Sequence, residues 1–451
     1  MAYPAPKLTP IHIEDLKVGM YIRLDCNWMK HPFPRNNFKI QSRGEIDVIR
    51  RLGGIAISLD ASRSDPESLK QSKPPVKKPP VSQEATEASP DLCQLSAEVQ
   101  AILKKKQEDI QRHLLRQEEL KHATARHAET VHQTKEVIDQ IVAGREGCSA
   151  PALAMIETMS DAIHGGGKAV AMLNVSLSDA YGPGNLPALH ALNVFMVSMM
   201  LGKKFELKQQ DMFALGIGAL LHDIGERKVP TQVLAKQRKA IPLLRAEKTF
   251  FELHPEYGKR MVGSIEAFSS DSGELIYQHH ERLDGSGYPR GIKGDAISLL
   301  AQIIMVADQY DHLTNALDTQ KCLCPTEAFS RLYVNRGKLF SEPVVVCLIH
   351  TLSIYPPGTF VLLSDESIGM VTRTNFSAFT RPLVMIYEPD PSGENLVIVD
   401  LAEDKELSIK KTLRPTEVPA HTSEYWKSRK MSGYFVHIKD DLLEAMSKQS
   451  Q

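Results

Sequence analysis

Two short stretches of this chain set metal-ligating side chains directly side by side. They are His222-Asp223, and His279-His280 at the head of the run Glu281-Arg282-Leu283-Asp284-Gly285-Ser286-Gly287-Tyr288-Pro289. Imidazole and carboxylate each need a polar partner when buried, so adjacent pairs of them are hard to place in an apolar core. A metal would satisfy all of them, and a fold that carries both stretches must bring them to one place. The pattern points to a metal-dependent hydrolase.

At 451 residues the chain exceeds one ordinary core, so two or three domains are expected. A net charge of -1 gives no general reason for a nucleic acid or an anionic membrane as partner, so any phosphate recognition must be local. The six cysteines, Cys26, Cys93, Cys148, Cys322, Cys324 and Cys347, form neither a disulfide framework nor a paired zinc pattern. Reduced cytosolic thiols are the simplest reading, with Cys322 and Cys324 two unrelated small side chains. Met1 to Pro6 lacks the basic and apolar segments of a signal peptide. The most apolar segment, Val194 to Leu201, is much shorter than the roughly 20 residues a bilayer span needs. A cytoplasmic protein without a membrane span is expected.

Residues 1–61 read as a small α+β module: Gly19 to Leu24 alternates, and Ile55 to Leu59 follows a helical stretch ending at Gly53-Gly54. Its Trp28 and the turn from His31 to Pro34 serve apolar packing of a small domain. Residues 62–92, rich in Pro, Ser, Lys and Glu, read as a disordered linker. Residues 93–148 read as one long polar helix with apolar positions at Leu95, Val99, Ile102, Ile110 and Leu114, suited to an interhelical contact or a homodimer. Residues 149–352 are helical nearly throughout. Residues 353–451 change to strands, at 360–363, 368–372, 382–387 and 396–399, with a turn at Pro391-Ser392-Gly393. The chain is therefore mainly α, with a small module at each end.

Within the helical domain, the run from Met212 to Leu221 delivers His222 and Asp223 near its end, before Gly225 and Pro230 break it. Neighbours on a helix project about a hundred degrees apart, so both can reach a metal cluster lying over that ridge. Aspartate has two oxygens and can bridge two cations. His190, His254 and Asp308 are further candidates on flanking helices. Each alone is more often a satisfied structural residue, but together they reverse that judgement.

From Leu186 to Ala328 the chain resembles the HD-GYP family of bacterial phosphohydrolases, which hydrolyse cyclic di-GMP. The resemblance rests on His222-Asp223, the His254-Pro255 turn, the whole run from His279 to Pro289, and Ala307-Asp308. The N-terminal module around Gly19-Met20 and His31-Pro32-Phe33 is similar to a domain often found in front of HD-GYP domains. The resemblance implies an HD-type helical bundle with His222 and Asp223 at the catalytic centre. It implies that His190, His222, Asp223 and Asp308 hold one metal, while Asp223, His254, His279 and His280 hold a second. Some members add a glutamate one turn before the first histidine for a third metal; Leu186 stands there, so two divalent ions are expected. The family implies iron or manganese. Such a site suits phosphodiester cleavage because it generates a strong nucleophile from water and neutralises charge on the phosphate. The loop Asp284, Gly285, Gly287, Tyr288 and Pro289 is associated in the family with docking of diguanylate cyclase domains, while its glycines and proline equally suit tight structural turns. Glu281 is expected to orient the ligands.

The substrate-binding cations depart from the family. Its phosphate-contacting lysine is Glu226 here, and a carboxylate would repel a phosphodiester. Arg227 and Lys228 follow immediately, on another helical face. A family arginine is Gln302, and an Arg-x-x-Lys pair aligns with Leu317 and Gln320, with Lys321 beside them. The leading expectation is a cyclic di-GMP phosphodiesterase. The alternatives are a metal-binding, catalytically weak receptor or scaffold, and a phosphohydrolase for a related nucleotide.

Overall fold

The computed structural model describes residues 8–26, 31–33, 35–69, 97–164, 170–171, 185–239, 241–315, 321–375, 377–387, 397–419, 422 and 435–436. Trp28, Cys93, Leu95, Leu317, Gln320 and the turn at 391–393 lie outside them. Two compact units divide the chain, Met1–Glu119 with Glu388–Val397, and Leu120–Tyr387 with Ile398–Gln451.

In the first unit an antiparallel sheet runs in the order Leu8–Ile11, Ile57–Asp60, Tyr21–Leu24, Asn37–Lys39. Alternation along Tyr21–Leu24 buries Ile22 and Leu24, where they meet Ile46, Val48 and Ile49 of helix α1, Arg43–Leu52. Ser42 caps that helix by accepting from the Glu45 amide. Where the sequence suggests a linker from residue 62, the chain stays packed through Leu69. Ser64 Oγ accepts from the Tyr21 amide at 2.9 Å, and Lys39 pairs with Asp65 at 2.5 Å. The rest of the expected linker, from residue 70, falls outside the described residues.

Helix α2, Ala97–Val142, has residues in both units. It stops at Val142, short of the expected 148, before Gly144 and Gly147, which adopt the left-handed conformation, and the expected start at 93 lies outside the described residues. Leu114 is exposed, whereas Val131, Thr134, Val137, Ile138 and Ile141 are buried. The apolar face that matters for packing is thus the later one, and it belongs to the core of the second unit.

That core is built on α3, Ser149–His164, α4, Leu186–Lys204, and α5, Gln209–Leu220. Around them stand α6, Thr231–Arg238, α7, Arg245–Glu252, α8, His254–Gly263, and α9, Ser270–Gln278. Helices α10, Leu299–Thr314, α11, Pro325–Val334, and α12, Glu342–Leu352, complete it. Among the described residues α4 is the one helix long and apolar enough to cross a membrane, and most of it is buried in this core. Apolar residues on every side are what a central helix requires.

The C-terminal strands form a five-stranded sheet in the order Ile409–Leu413, Phe360–Leu363, Ile368–Arg373, Leu383–Ile386, Val397–Asp400. The first of these is an addition to the strands legible in the sequence; its Ile-Lys-Lys-Thr-Leu composition hides an edge position, where lysine guards the open strand. The sheet is tied to α11 by Arg414, whose guanidinium grips both oxygens of Glu327, and by a 2.8 Å hydrogen bond between Thr326 and Thr412. Cys322 and Cys324 are buried, and neither joins a metal cluster among the described residues.

Candidate metal centre

The expected ligands arrive from five places. His190 stands on α4 and Asp308 on α10, His254 opens α8, and His279-His280 follow the end of α9. His222 and Asp223 lie beyond α5, not on its final turn: the helix ends at Leu220, and the pair occupies the turn into the short 3-10 segment Ile224–Lys228. Gly225 explains the turn's position. A Cβ there would sit 1.9 Å from the His254 carbonyl oxygen, so only glycine lets this backbone rest against the start of α8. That contact brings Asp223 and His254 together.

Asp223 lies between two groups of histidines. Its Oδ2 is 3.2 Å from His222 Nε2 and 3.5 Å from His190 Nε2; its Oδ1 is 3.4 Å from His254 Nε2 and 3.5 Å from His279 Nε2. His280 joins the second group, with ligand atoms of Asp223, His254, His279 and His280 all within 4.8 Å of one another. Asp308 Oδ1 joins the first, 3.3 Å from His190 Nε2 and 3.8 Å from His222 Nε2.

The imidazoles are locked in one orientation. Nδ1 of His222 donates to the Ala219 carbonyl at 2.8 Å, that of His254 to Phe251 at 2.7 Å, and that of His279 to Ile276 at 2.6 Å. His190 Nδ1 instead meets Asp311 Oδ2 at 2.7 Å, and Asn193 and Asn315 hold that carboxylate. With each Nδ1 carrying the proton, each Nε2 presents a lone pair inward. Yet His190 and His222 face each other at 3.1 Å between Nε2 atoms, and His254 and His279 at 3.3 Å. Lone pairs so close call for a proton or a metal ion between them. Asp308 Oδ1, buried beside His312 Nδ1 at 2.7 Å, faces the same space from 3.3 Å off His190 Nε2. The donor set fits divalent metal ions.

Burial opposes the charge, yet hydrogen bonds to Asp223, Asp308 and Asp311 hold His190 well above its ordinary pKa, and Asp223 likewise raises His254, so these carboxylates draw positive charge, a proton or an ion, to the imidazoles. Burial, then the neighbouring His279 and His254, push His280 well below its ordinary pKa, keeping it the neutral imidazole that metals bind. Burial would raise the Asp308 carboxyl, but His312 and His190 hold it well below the usual range, so it is ionised.

Asp311 and His312 were not among the expected residues. His312 Nδ1 lies 2.7 Å from Asp308 Oδ1, and His190, Asp308 and His312 form a further cluster able to hold a metal. Their spacing of three and four from Asp308 on α10 was the available signal. Glu281 does not hold a ligand imidazole. It is fully buried and accepts from the amides of Arg290 and Ile292 at 2.9 and 3.1 Å, pinning the loop that follows. In that loop Gly285 is left-handed, a Cβ on Gly287 would strike the His280 carbonyl, and the Tyr288 ring lies 4.7 Å from that of His280. Asp284 turns back to the Ser286 amide, and Pro289 follows a cis peptide.

A cavity of about 880 Å³ opens over the centre. Leu186, Asp223, Glu226, Arg238 and Lys321 are among its lining residues. Burial, then the Asp223 charge, raise the Glu226 carboxyl above its usual range. Arg238 of α6 pairs with it at 3.3 Å. Arg227 turns instead to Asp139 of α2 at 2.9 Å, Lys228 is exposed, and Gln302 donates to the Ile297 carbonyl.

Residues 183–342 match the family model of the HD domain, which takes its place around this cluster. The chain carries an HD domain. In front of it, residues 8–152 match a domain of unknown function, DUF3391. The HD-GYP resemblance and its N-terminal companion are thereby borne out, as is the HD-type, mainly helical fold. The chain is similar to a cyclic di-GMP phosphodiesterase of Pseudomonas aeruginosa, 26% identical over 84% of this chain and 85% of that protein. It is similar to the cyclic di-GMP phosphodiesterase response regulator RpfG of Xanthomonas campestris, 34% identical over 34% of this chain and 40% of that one. A 3'3'-cGAMP-specific phosphodiesterase of Vibrio cholerae is 34% identical over 28% of this chain and 26% of its own length. These shorter matches are of the HD domain's size.

Proposed function

We propose that this protein is a cytoplasmic, metal-dependent phosphodiesterase that hydrolyses cyclic di-GMP with two divalent metal ions, iron or manganese. The observation that carries this is Asp223, which turns one carboxylate oxygen to each histidine group. His190, His222, Asp223 and Asp308 would hold one ion, and Asp223, His254, His279 and His280 the other. When bound, the ions supply an activated water and neutralise charge building on the phosphate. The protein keeps the imidazoles aimed, and Lys135 and Lys321 bring positive charge to the cavity lining. The reading as a weak receptor rested on Glu226. The phosphodiesterase names of the relatives favour turnover. A diguanylate cyclase domain would dock on the loop from Asp284 to Pro289, whose Ser286 is exposed. A second copy would pair along α2, where Leu114 and Leu115 are exposed.

The test is turnover. Protein loaded anaerobically with iron or manganese should convert cyclic di-GMP to linear dinucleotide or GMP, and chelator should abolish the reaction. Tight binding without product would overturn the proposal in favour of a receptor.

A further inference from the structure

The exchange of a family lysine for Glu226 looks damaging only if this side chain faces a phosphate. Its surroundings suit a different part of the nucleotide. Glu226 and Arg238 line the same cavity as Asp223 and His190, and Arg238 Nη2 holds Glu226 Oε2 at 3.3 Å. The two come from different elements, the 3-10 segment Ile224–Lys228 and the last turn of α6. Glu226 is partly buried and Arg238 more open. The neighbouring Arg227 lines the same cavity but pairs with Asp139, and Arg238 is the arginine that meets this carboxylate.

We infer that Glu226 and Arg238 form a guanine-reading pair, which makes this cavity select cyclic dinucleotides containing guanine over those containing only adenine. The inference rests on the phosphodiesterase reading and names what sets its substrate. The Watson–Crick edge of guanine offers two adjacent donors, N1–H and the N2 amino group, whose spacing matches the two oxygens of a carboxylate. An ionised carboxylate is acceptor-only and can take both bonds at once. The O6 and N7 acceptors of guanine suit a guanidinium. Arg238 beside Glu226 therefore supplies the donor where the base supplies the acceptor. Adenine turns an N1 acceptor toward the same carboxylate, so two lone-pair groups would meet without a proton between them. Leaving a site's polar groups unpaired is the strongest means of rejecting an analogue. Glu226 is then a specificity determinant, and the phosphate charge falls to the metal ions and the lysines of the lining.

The experiment compares kcat/KM for cyclic di-GMP, 3'3'-cGAMP and cyclic di-AMP in the full-length manganese-loaded protein, its Glu226→Gln and Arg238→Ala variants, and Glu226→Lys. Wild type should prefer cyclic di-GMP over cyclic di-AMP, with 3'3'-cGAMP between them. Glu226→Gln, which keeps shape but places a donor against a donor, should lower that preference about a hundredfold, chiefly through KM, with unchanged metal content. Arg238→Ala should lower the preference in the same direction and serves as the second reading if Glu226→Gln folds poorly. Glu226→Lys should lose cyclic di-GMP turnover. A gain in Glu226→Lys, or an unchanged preference in both Glu226→Gln and Arg238→Ala, overturns the pair while leaving the phosphodiesterase standing. A wild type that cleaves no cyclic dinucleotide overturns the phosphodiesterase reading, and this inference with it.

Discussion

Beneath the cavity, in a floor that reaches it through His190 and Asp223, four imidazoles are oriented from behind, three by backbone carbonyls of their own turns and His190 by Asp311. In the wall the charged groups are held by ion pairs between partly exposed side chains, Arg238 with Glu226 and Arg227 with Asp139. Pairs of the second kind contribute little to stability, about 0 to 1 kcal/mol each. The difference teaches where exactness is required. Metal ligation tolerates little displacement, and the floor obtains its geometry from local backbone. The wall can exchange lysine for glutamate without disturbing the ligands, and what changes with it is recognition.

If that division is right, floor variants should fall furthest. His222→Ala or His254→Ala should each lower turnover by more than about a hundredfold, since even the partners behind metal ligands are commonly worth ten- to a hundredfold. Steady-state kinetics with matched circular dichroism checks this, and wall-sized losses would break the comparison. Gly225→Ala comes next. With a carbonyl oxygen 1.9 Å from the new Cβ, the turn bearing Asp223 must move off α8. We expect a destabilisation of about 3 kcal/mol or more, read as a lower denaturant midpoint, together with loss of bound metal. Asp311→Ala should weaken metal affinity about ten- to a hundredfold by freeing the His190 ring. Competition with a chelator measures it, and excess metal should restore activity.

The smallest effect belongs to the other unit. Burial, then the Lys106 charge against a favourable hydrogen bond that His31 donates to Asn36 Oδ1, takes His31 down from 6.5 to about 4. Its folded value lies below its unfolded value, so the unfolded chain takes up the proton first. The stability His31 contributes is present above about pH 6.5 and is lost as pH falls toward 4. Hydrogen exchange in the strand Tyr21–Leu24, corrected for intrinsic rates, should show weaker protection at pH 5 than at pH 7.5. An equal loss in α4 would tie the effect to the whole molecule rather than to this sheet.

The ligands were legible because their signal is chemical: adjacent histidine and carboxylate pairs have few uses in a core, whatever the backbone does around them. The turn carrying His222-Asp223 was not, since helical periodicity runs smoothly into it and the close approach that places it is between Gly225 and His254, 29 residues further along the chain. Arg238 was hidden for a similar reason, being brought to Glu226 by the packing of α6 and not by spacing. The buried face of α2 at Val131 to Ile141 carries too few apolar residues among Glu, Lys and Gln to stand out, and only the partner core reveals it. Asp311 and His312 could have been found from Asp308, one turn along α10.

Metal content per chain tests the central claim most directly. By mass spectrometry of reconstituted protein, wild type should carry two divalent ions, and Asp223→Ala, which removes the carboxylate common to both histidine groups, should retain neither at stoichiometric occupancy. An Asp223→Ala protein that keeps two ions would contradict the account.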